Sequence, residues 1–569
     1  MKTVSGIAAS PGIAFGPAHR YLPGAPPVER HTIEDPSQEV ERLRRAIQEA
    51  DADLAALVVE MEQAAGREQA AIFEAHRMFM ADRAFLGAAQ ALILKDQLNA
   101  EAAVDAVMNG LWRTFDAMDN EYFRARGGDV IDVGHRLIRQ LSGIAQPALR
   151  GMPRPCIVIA SDLTPSDTAR MDREKVLGFC TAYGGTTAHS AILARSLGIP
   201  AVVAAGAEVL DIPDGLALIL DGDAGVVIVE PKAETVKTYG QRTAELIGHQ
   251  AKARRAAHEP AVTRDGYRVD VAANIASIAE VETALACGCE GVGLLRTEFL
   301  FLDRTTAPDE DEQAQAYDEI AQTLAPRPLI IRTLDIGGDK PVPYLSVPPE
   351  GNPFLGNRGL RLSLTEPEMF KVQLRAILRS SRAANVLVMF PMVGSVAEVH
   401  RAKVLLDEAR NELEARRVPF GLPKVGIMVE TPAAAMTADL LARHVDFFSI
   451  GTNDLTQYTL AADRTNAQVQ NLADAMHPAV LRLIAETIRR AHEASIWVGV
   501  CGELAGDPTA VPVLLGLGLD EFSAAPLSVP MVKAEIRRWS LTAARAVAEQ
   551  ALCAESADKV RSIVESHEA

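Results

Sequence analysis

The 569-residue sequence has little cysteine, no long apolar run and a shortage of positive charge. Its six cysteines, Cys156, Cys180, Cys287, Cys289, Cys501 and Cys553, show no Cys-x-x-Cys spacing. This excludes a disulfide scaffold, implies no structural zinc site and fits a reducing compartment. No apolar run approaches the ~18 residues of a membrane helix. The N-terminal MKTVSGIAASPGIAFG carries a proline and three glycines where a signal peptide needs an unbroken apolar segment. A cytoplasmic protein without membrane insertion is expected. The 57 Lys and Arg stand against 75 Asp and Glu, a formal charge of -18. Such a field repels polyphosphate backbones and excludes general nucleic-acid binding. A small anionic substrate would have to be held by a local cluster of arginines acting against it. What is present is ordinary globular composition, 48% hydrophobic and 23% charged, over a length that suits three or four folding units at one per ~150 residues.

The pattern changes along the chain. Residues 3–30 are rich in Gly and Pro with short apolar stretches. From about Pro36, long Ala/Glu/Arg/Leu segments begin, with Leu43, Ile47, Ala50, Leu54, Leu57 and Val58 at helical spacing, and similar segments run to about Leu141. From Cys156 the runs CIVIA, KVLGFCTA, AVVAA, LALILDG and VVIVE, separated by Asp/Gly/Pro turns, read as an α/β unit. Residues 231–260 have helical composition and read as a connector. Beyond Val262 come eight short apolar runs mostly separated by helical patterns: RVDVAANI, GVGLLRTE, PLIIRTLD, VLVMFPMV, KVGIMVE, FFSIGTND, WVGVCGE and EFSAAP. Alternation of this kind predicts a (β/α)8 TIM-type barrel, with a doubly wound open sheet as the competing fold. The expected division is an α/β domain from 1–30 and 146–230, an inserted helical subdomain at 31–145, a helical linker at 231–260 and the barrel at 261–569.

Candidate chemistry sits in two places. In AYGGTTAHSAILARSLGIPAV, residues 182–202, two glycines permit a tight turn, Thr186 and Thr187 can cap, and a helix reads from there to Gly198, with Pro200 beyond. His189 then lies in the first helical turn. Free N–H groups and the positive dipole end there suit a phosphorylated imidazole, with the hydroxyls of Thr186, Thr187 or Ser190 nearby. The bland alternative is a histidine that packs or caps a helix start. The second place is the set of strand ends: Asn274, Arg296 with Glu298, Arg332 with Asp335, Glu430, Asn453 with Asp454, and Cys501 with Glu503. In a barrel these converge on one rim. Arg296, Arg332, Arg358 and Arg464 lie after strand ends or in Gly/Asn-rich loops, and guanidinium forks suit phosphate and carboxylate, unless they form only an ordinary set of rim salt bridges. Glu430 and Asp454 could share Mg2+, unless they pair only with arginines. Cys501 is expected to face the barrel mouth, where a thiol could protonate a carbanion or enolate, unless it is a buried structural cysteine. Cys287 and Cys289, at the opposite end, read as structural.

Taken together these motifs resemble Enzyme I of the phosphoenolpyruvate-dependent phosphotransferase system. SPGIAFG, SDLTPSDTA, GGTTAHSAILAR, GVGLLRTEFLF, RTLDIGGDK, GNPFLGNRGLR, MVETPAA, FSIGTNDLTQY and GVCGELAGDP follow that family's order over essentially the whole chain. The resemblance implies that phosphoenolpyruvate and Mg2+ phosphorylate a histidine, matched by His189 at Nε2, and that the phosphoryl group passes to the phosphocarrier HPr. It assigns phosphoenolpyruvate binding to Arg296, Arg332, Asn453, Asp454 and Arg464, metal ligation to Glu430 and Asp454, and proton donation to Cys501. It makes 31–145 the HPr-docking part, with FEAHRMFMADRAF at 73–85 its characteristic stretch. There Met78 or Phe79 would either line a groove or sit in the core. It also implies a homodimer through the barrel. Related dikinases and synthases need a nucleotide-binding domain that this sequence lacks ahead of its histidine region, and a scaffold protein would have degraded site residues. The nitrogen-related form of Enzyme I usually carries an N-terminal sensory domain; the sequence favours the stand-alone enzyme but does not choose its carrier.

Overall fold

A computed structural model describes the chain apart from residues 22–25, 66, 117–120, 145–148, 150–151, 153, 165–166, 169–170, 173, 186–188, 303, 338–341, 343, 346–349, 383–384, 465, 467–468 and 568–569, and apart from the side chains of 62–69, 71, 83–84, 115–127, 189, 192, 196, 246 and 471. It divides into two compact units, Met1–Glu245 and Leu246–Ala569.

In the first unit, Asp35 Oδ1 accepts the N–H groups of Ser37 and Gln38 at 3.0 and 3.1 Å, capping the helix that Pro36 opens. Five helices follow: α1 (Pro36–Ala65), α2 (Arg67–Met80), α3 (Arg83–Asp96), α4 (Ala100–Asp116) and α5 (Glu121–Ser142). The helical spacing predicted for α1 becomes its buried face: Leu43, Ala50, Leu54, Leu57 and Val58 pack with Phe73 of α2 and with Val133 and Leu137 of α5. Met78 is exposed, whereas Phe79 packs on Phe85 at 5.1 Å between ring centroids.

These helices lie in the chain between two neighbouring strands of one sheet. Its strands are β1 (Lys2–Ser5), β2 (Ile7–Ser10), β3 (Ile13–Tyr21), β4 (Cys156–Ala160), β5 (Val176–Thr181), β6 (Ala201–Val203), β7 (Ala217–Asp221) and β8 (Val226–Val229), in the order β1-β8-β7-β3-β4-β5-β6-β2. β3 through β6 run parallel, with Ala18 opposite Ile157 and Tyr21 opposite Ala160, and the remaining pairs are antiparallel. β4 shows why it is apolar throughout: Cys156, Val158 and Ala160 face the helical core, and Ile157 and Ile159 face Leu218 and Leu220. The helix α6 (His189–Leu197) stops where the sequence places its glycine: Gly198 has φ 67° and Ile199 N–H bonds back to Ala194 O at 2.9 Å. A further helix, α7 (Ala233–Arg255), occupies the predicted connector and contains the division between the units.

The second unit is a closed all-parallel barrel, not an open sheet. Its strands are β9 (Asp270–Ile275), β10 (Val292–Leu295), β11 (Leu329–Arg332), β12 (Val386–Phe390), β13 (Lys424–Val429), β14 (Phe447–Ile450), β15 (Trp497–Val500) and β16 (Glu521–Ala524), one from each predicted run. Leu294, Ile330, Met389, Met428 and Phe447 fill the interior, and Trp497 stacks on Phe447 at 4.7 Å. All six cysteines are free, with Cys289 buried and Cys287 half-buried ahead of β10.

Candidate active site at the barrel rim

Parallel strands bring all their C-terminal ends to one rim, so side chains far apart in sequence become neighbours. Arg332, the last residue of β11, donates from Nη2 to Glu298 Oε1 at 2.8 Å, and its Nη1 lies 3.0 Å from Asp335 Oδ2. Asp335 also accepts from Arg358 Nε and Nη2, both at 3.1 Å. The other edge of Arg358 reaches Asp454, Nη1 to Oδ1 at 2.8 Å and Nη2 to Oδ2 at 3.2 Å. Arg464 Nη1 stands 3.5 Å from the same Oδ2. Glu298, Arg332, Asp335, Arg358, Asp454 and Arg464 therefore form one continuous chain of opposite charges, buried except at the Arg464 end. Burial alone would weaken the Arg358 charge, but Asp335 and Asp454 more than offset it and hold the guanidinium above its ordinary value. The same balance, with Glu298 and then Asp335, applies to Arg332. Loss of either guanidinium would leave buried carboxylates unpaired, at a cost of ~3–5 kcal/mol. Arg332 Nε is buried with no hydrogen-bond partner, a donor left over for an anion.

Glu430 follows β13 and is 1% exposed. Its Oε1 accepts Met392 N–H at 2.5 Å. It lies against Gly451, where a Cβ would come within 2.9 Å of Oε2. Burial, then the neighbouring Asp454 and Asp335, push its carboxyl up to about 8. Asp454 is in the first turn of the helix Thr452–Leu460, where the dipole favours negative charge. Among the described residues no three His, Cys, Asp or Glu side chains are grouped to hold a metal by themselves. The donor set does fit a hard cation that takes one or two carboxylates and completes its shell with water and phosphate oxygens, because a cation here would relieve the repulsion that raises Glu430.

The remaining predicted residues lie outside the buried charge chain. Arg296, just past β10, is exposed and makes no ion pair among the described residues, so it stands apart from the buried chain. Asn453 Oδ1 accepts Glu503 N–H at 2.9 Å, leaving its Nδ2 donors. Asn274 is a structural tie instead: Nδ2 donates to Cys501 O and Ser523 O at 2.9 and 3.0 Å. Cys501 is 3% exposed and packs with interior side chains such as Met428 and Ile330, while Glu430, Arg332 and Arg296 act on its thiol, so it lies buried just beneath the rim rather than open to solvent. Burial pushes its thiol up to about 11, so it is protonated at neutral pH. Glu298 and Asp335 are the partners that place Arg332 and Arg358 in rim salt bridges, the alternative open for these arginines; the sequence signal for a particular pair was Asp335 three residues after Arg332. Tyr458 was missed altogether; its hydroxyl donates to Phe354 O at 2.5 Å and lies 3.4 Å from Arg358 Nη1.

In the first unit His189 is the opening residue of α6, as the sequence predicts, and its side chain lies outside the described residues. Thr186 and Thr187 lie outside them entirely, and Ser190 is buried.

Three family models match the chain: "PEP-utilising enzyme, N-terminal" over residues 5–126, "PEP-utilising enzyme, mobile domain" over 152–225 and "PEP-utilising enzyme, PEP-binding domain" over 250–541. The chain is 44% identical over 567 residues to the phosphoenolpyruvate-protein phosphotransferase of Geobacillus stearothermophilus, covering 99% of this chain and 98% of that one. It is 43% identical over 565 residues to the Bacillus subtilis protein of the same name, covering 99% of each. The multiphosphoryl transfer protein of Xanthomonas campestris matches at 44% over 98% of this chain and 66% of its own length. A solution structure of the Enzyme I fragment nEIt shares 36% identity over 43% of this chain and 99% of its own, with a TM-score of 0.37. The chain belongs to the phosphoenolpyruvate-protein phosphotransferase family, Enzyme I of the phosphotransferase system.

Proposed function

We propose that this enzyme transfers the phosphoryl group of phosphoenolpyruvate to Nε2 of His189 and then to a histidine phosphocarrier of the HPr kind, opening the phosphotransferase cascade. The observation that carries this reading is the pre-aligned run of buried arginines and carboxylates at the rim. Arg296, Arg332, Arg358 and Arg464, with Asn453 Nδ2, hold the phosphate and carboxylate. Glu430 and Asp454 would hold Mg2+, which when bound neutralises phosphoryl and enolate oxygens. The imidazole attacks phosphorus; the N–P bond forms as the P–O bond breaks, and the pyruvate enolate leaves with the bonding electrons. The Cys501 thiol gives its proton to the enolate methylene carbon, completing pyruvate, and solvent returns a proton to the thiolate.

Incubation with labelled phosphoenolpyruvate and Mg2+ is expected to leave an acid-labile, base-stable label on the protein. Excess chelator, or Glu430→Gln or Asp454→Asn, is expected to slow labelling about 100-fold or more, equivalent to ~2.7 kcal/mol of transition-state stabilisation. Undiminished labelling in chelator would remove the metal from the reading. Cys501→Ala is expected to slow pyruvate formation about 100-fold while changing phosphoenolpyruvate affinity little, because the thiol acts late and on carbon. Normal turnover with much weaker substrate binding would make Cys501 a packing residue instead.

The helical part at 31–145 docks the carrier, with Met78 offering exposed apolar surface. The barrel forms a homodimer; a monomer in sedimentation at high concentration with phosphoenolpyruvate and Mg2+ would contradict that. No helix among the described residues is long and apolar enough to cross a membrane. Together with the free cysteines this supports a cytoplasmic enzyme.

A further inference from the structure

The opposite, N-terminal mouth of the barrel carries two recesses, of about 300 and 580 Å3, both lined by Asp270, Pro326, Pro328 and Glu521. Volumes of this order accommodate small organic ligands. Glu521 is the unusual member. It opens β16, is 7% exposed, and its Oε1 is buried without a hydrogen-bond partner. Barrel interiors are filled mainly by Val, Ile and Leu, so an unpartnered carboxyl there calls for an account. The neighbouring strands leave it room: a Cβ at Gly293 of β10 would fall 2.6 Å from that oxygen, and one at Gly499 of β15 would fall 3.1 Å from it.

Charge at this mouth points to the sign of a ligand. Burial first, then Asp270, Asp520 and Glu290, push the Glu521 carboxyl up to about 8, so at neutral pH its charge would appear only beside an incoming cation; Glu290 already has Lys533 at 3.8 Å and Asp520 has His492 at 2.8 Å. Arg268 is turned toward Asp270 and Glu290, at 3.3 and 3.5 Å, and Arg327 and Lys424 line the recesses from exposed positions. One side of the larger recess is apolar, formed by Trp497, Ile330 and Leu387, with Asn385, Lys424 and Asp520 also on its lining, and the indole is fixed by its stacking on Phe447. Among the described residues no His, Cys, Asp or Glu cluster of metal-holding size occurs, at this mouth or elsewhere. A carboxyl lacking a partner next to an aromatic and aliphatic wall suits an ammonium on an apolar body better than a bare ion.

We propose that the N-terminal mouth of the barrel is a second ligand site, separate from the catalytic rim, that takes a small organic ammonium, its charge against Glu521 and Asp270 and its apolar body against Trp497. The probe is benzylamine, with benzyl alcohol as the uncharged control, added to the full-length protein labelled with 5-fluorotryptophan. The three tryptophans give separate fluorine signals, and Trp497→Phe identifies the relevant one. Benzylamine is expected to shift the Trp497 signal saturably and benzyl alcohol to leave it unmoved. Glu521→Gln and Asp270→Asn are each expected to weaken binding at least about tenfold while leaving phosphoenolpyruvate-dependent labelling unchanged. Asp270 is exposed, so its variant decides the matter even where Glu521→Gln fails to fold. No shift at about 10 mM benzylamine, an equal response to benzyl alcohol, or unchanged affinity in Asp270→Asn would overturn the proposal.

Discussion

His189→Ala is expected to lower label uptake from phosphoenolpyruvate by at least about 1000-fold, the scale of losing a covalent nucleophile. The fold is expected to survive. His189 is the first residue of α6, at the end where backbone N–H groups lack intrahelical partners and where a dianionic phosphoryl group is favoured. Alanine is a better helix former than histidine, so the change should not break the helix. Circular dichroism and thermal unfolding of the variant should therefore match the parent while labelling vanishes. Mass spectrometry that placed the phosphoryl group on another of the twelve histidines would sink the assignment.

The second large effect comes from cutting the chain. His189 belongs to the unit Met1–Glu245, whereas Arg332, Arg358, Glu430, Asp454 and Cys501 all belong to Leu246–Ala569. Attack requires the imidazole nitrogen within ~3.5 Å of phosphorus. The same nitrogen must also deliver its phosphoryl group to a protein as bulky as HPr. One fixed arrangement would serve both steps poorly, so the two steps are expected to separate when the two parts of the chain are made as fragments. A fragment ending near residue 255, which keeps α7, is expected to exchange phosphoryl groups with phosphorylated HPr yet take none from phosphoenolpyruvate. The barrel alone is expected to bind phosphoenolpyruvate. Direct phosphorylation of the N-terminal fragment by phosphoenolpyruvate would show that the division of labour is wrong.

The barrel was legible in sequence because each strand is a short apolar run followed by its own helix, and because its polar residues fall where strands end. β1, β2 and β3 were not legible as strands. Their partners lie far away in the chain, Lys2 opposite Val229 and Ala18 opposite Ile157, and Pro17 inside β3 reads locally as a breaker. At the rim the residue types were readable and their partnerships were not. Arg358 sits in loop text, and only the closed barrel shows it bridging Asp335 and Asp454. A strand-end cysteine can face solvent or core, and its degree of burial is not readable from sequence: Cys501 stands next to the rim charges yet is packed among inward side chains of adjacent strands. Glu521 gave no local signal, since its carboxyl fits only because Gly293 and Gly499, far away in the chain, carry no Cβ where its oxygen lies.

The arginine–carboxylate chain has a thermodynamic consequence for the order in which ligands arrive. Arg332 and Arg358 are already neutralised by Glu298, Asp335 and Asp454 before any anion enters. On the proposed reading, an anion entering the rim would find these two guanidinium groups already paired, and a divalent cation arriving alone would have to displace Arg358 from Asp454, so each ligand would improve the site for the other. Such coupling is reciprocal: whatever factor the metal adds to phosphoenolpyruvate affinity, phosphoenolpyruvate must add to metal affinity. An enzyme built in this way would bend its saturation curves whenever either ligand was scarce, so that metal supply and substrate supply would together govern how much of it is charged.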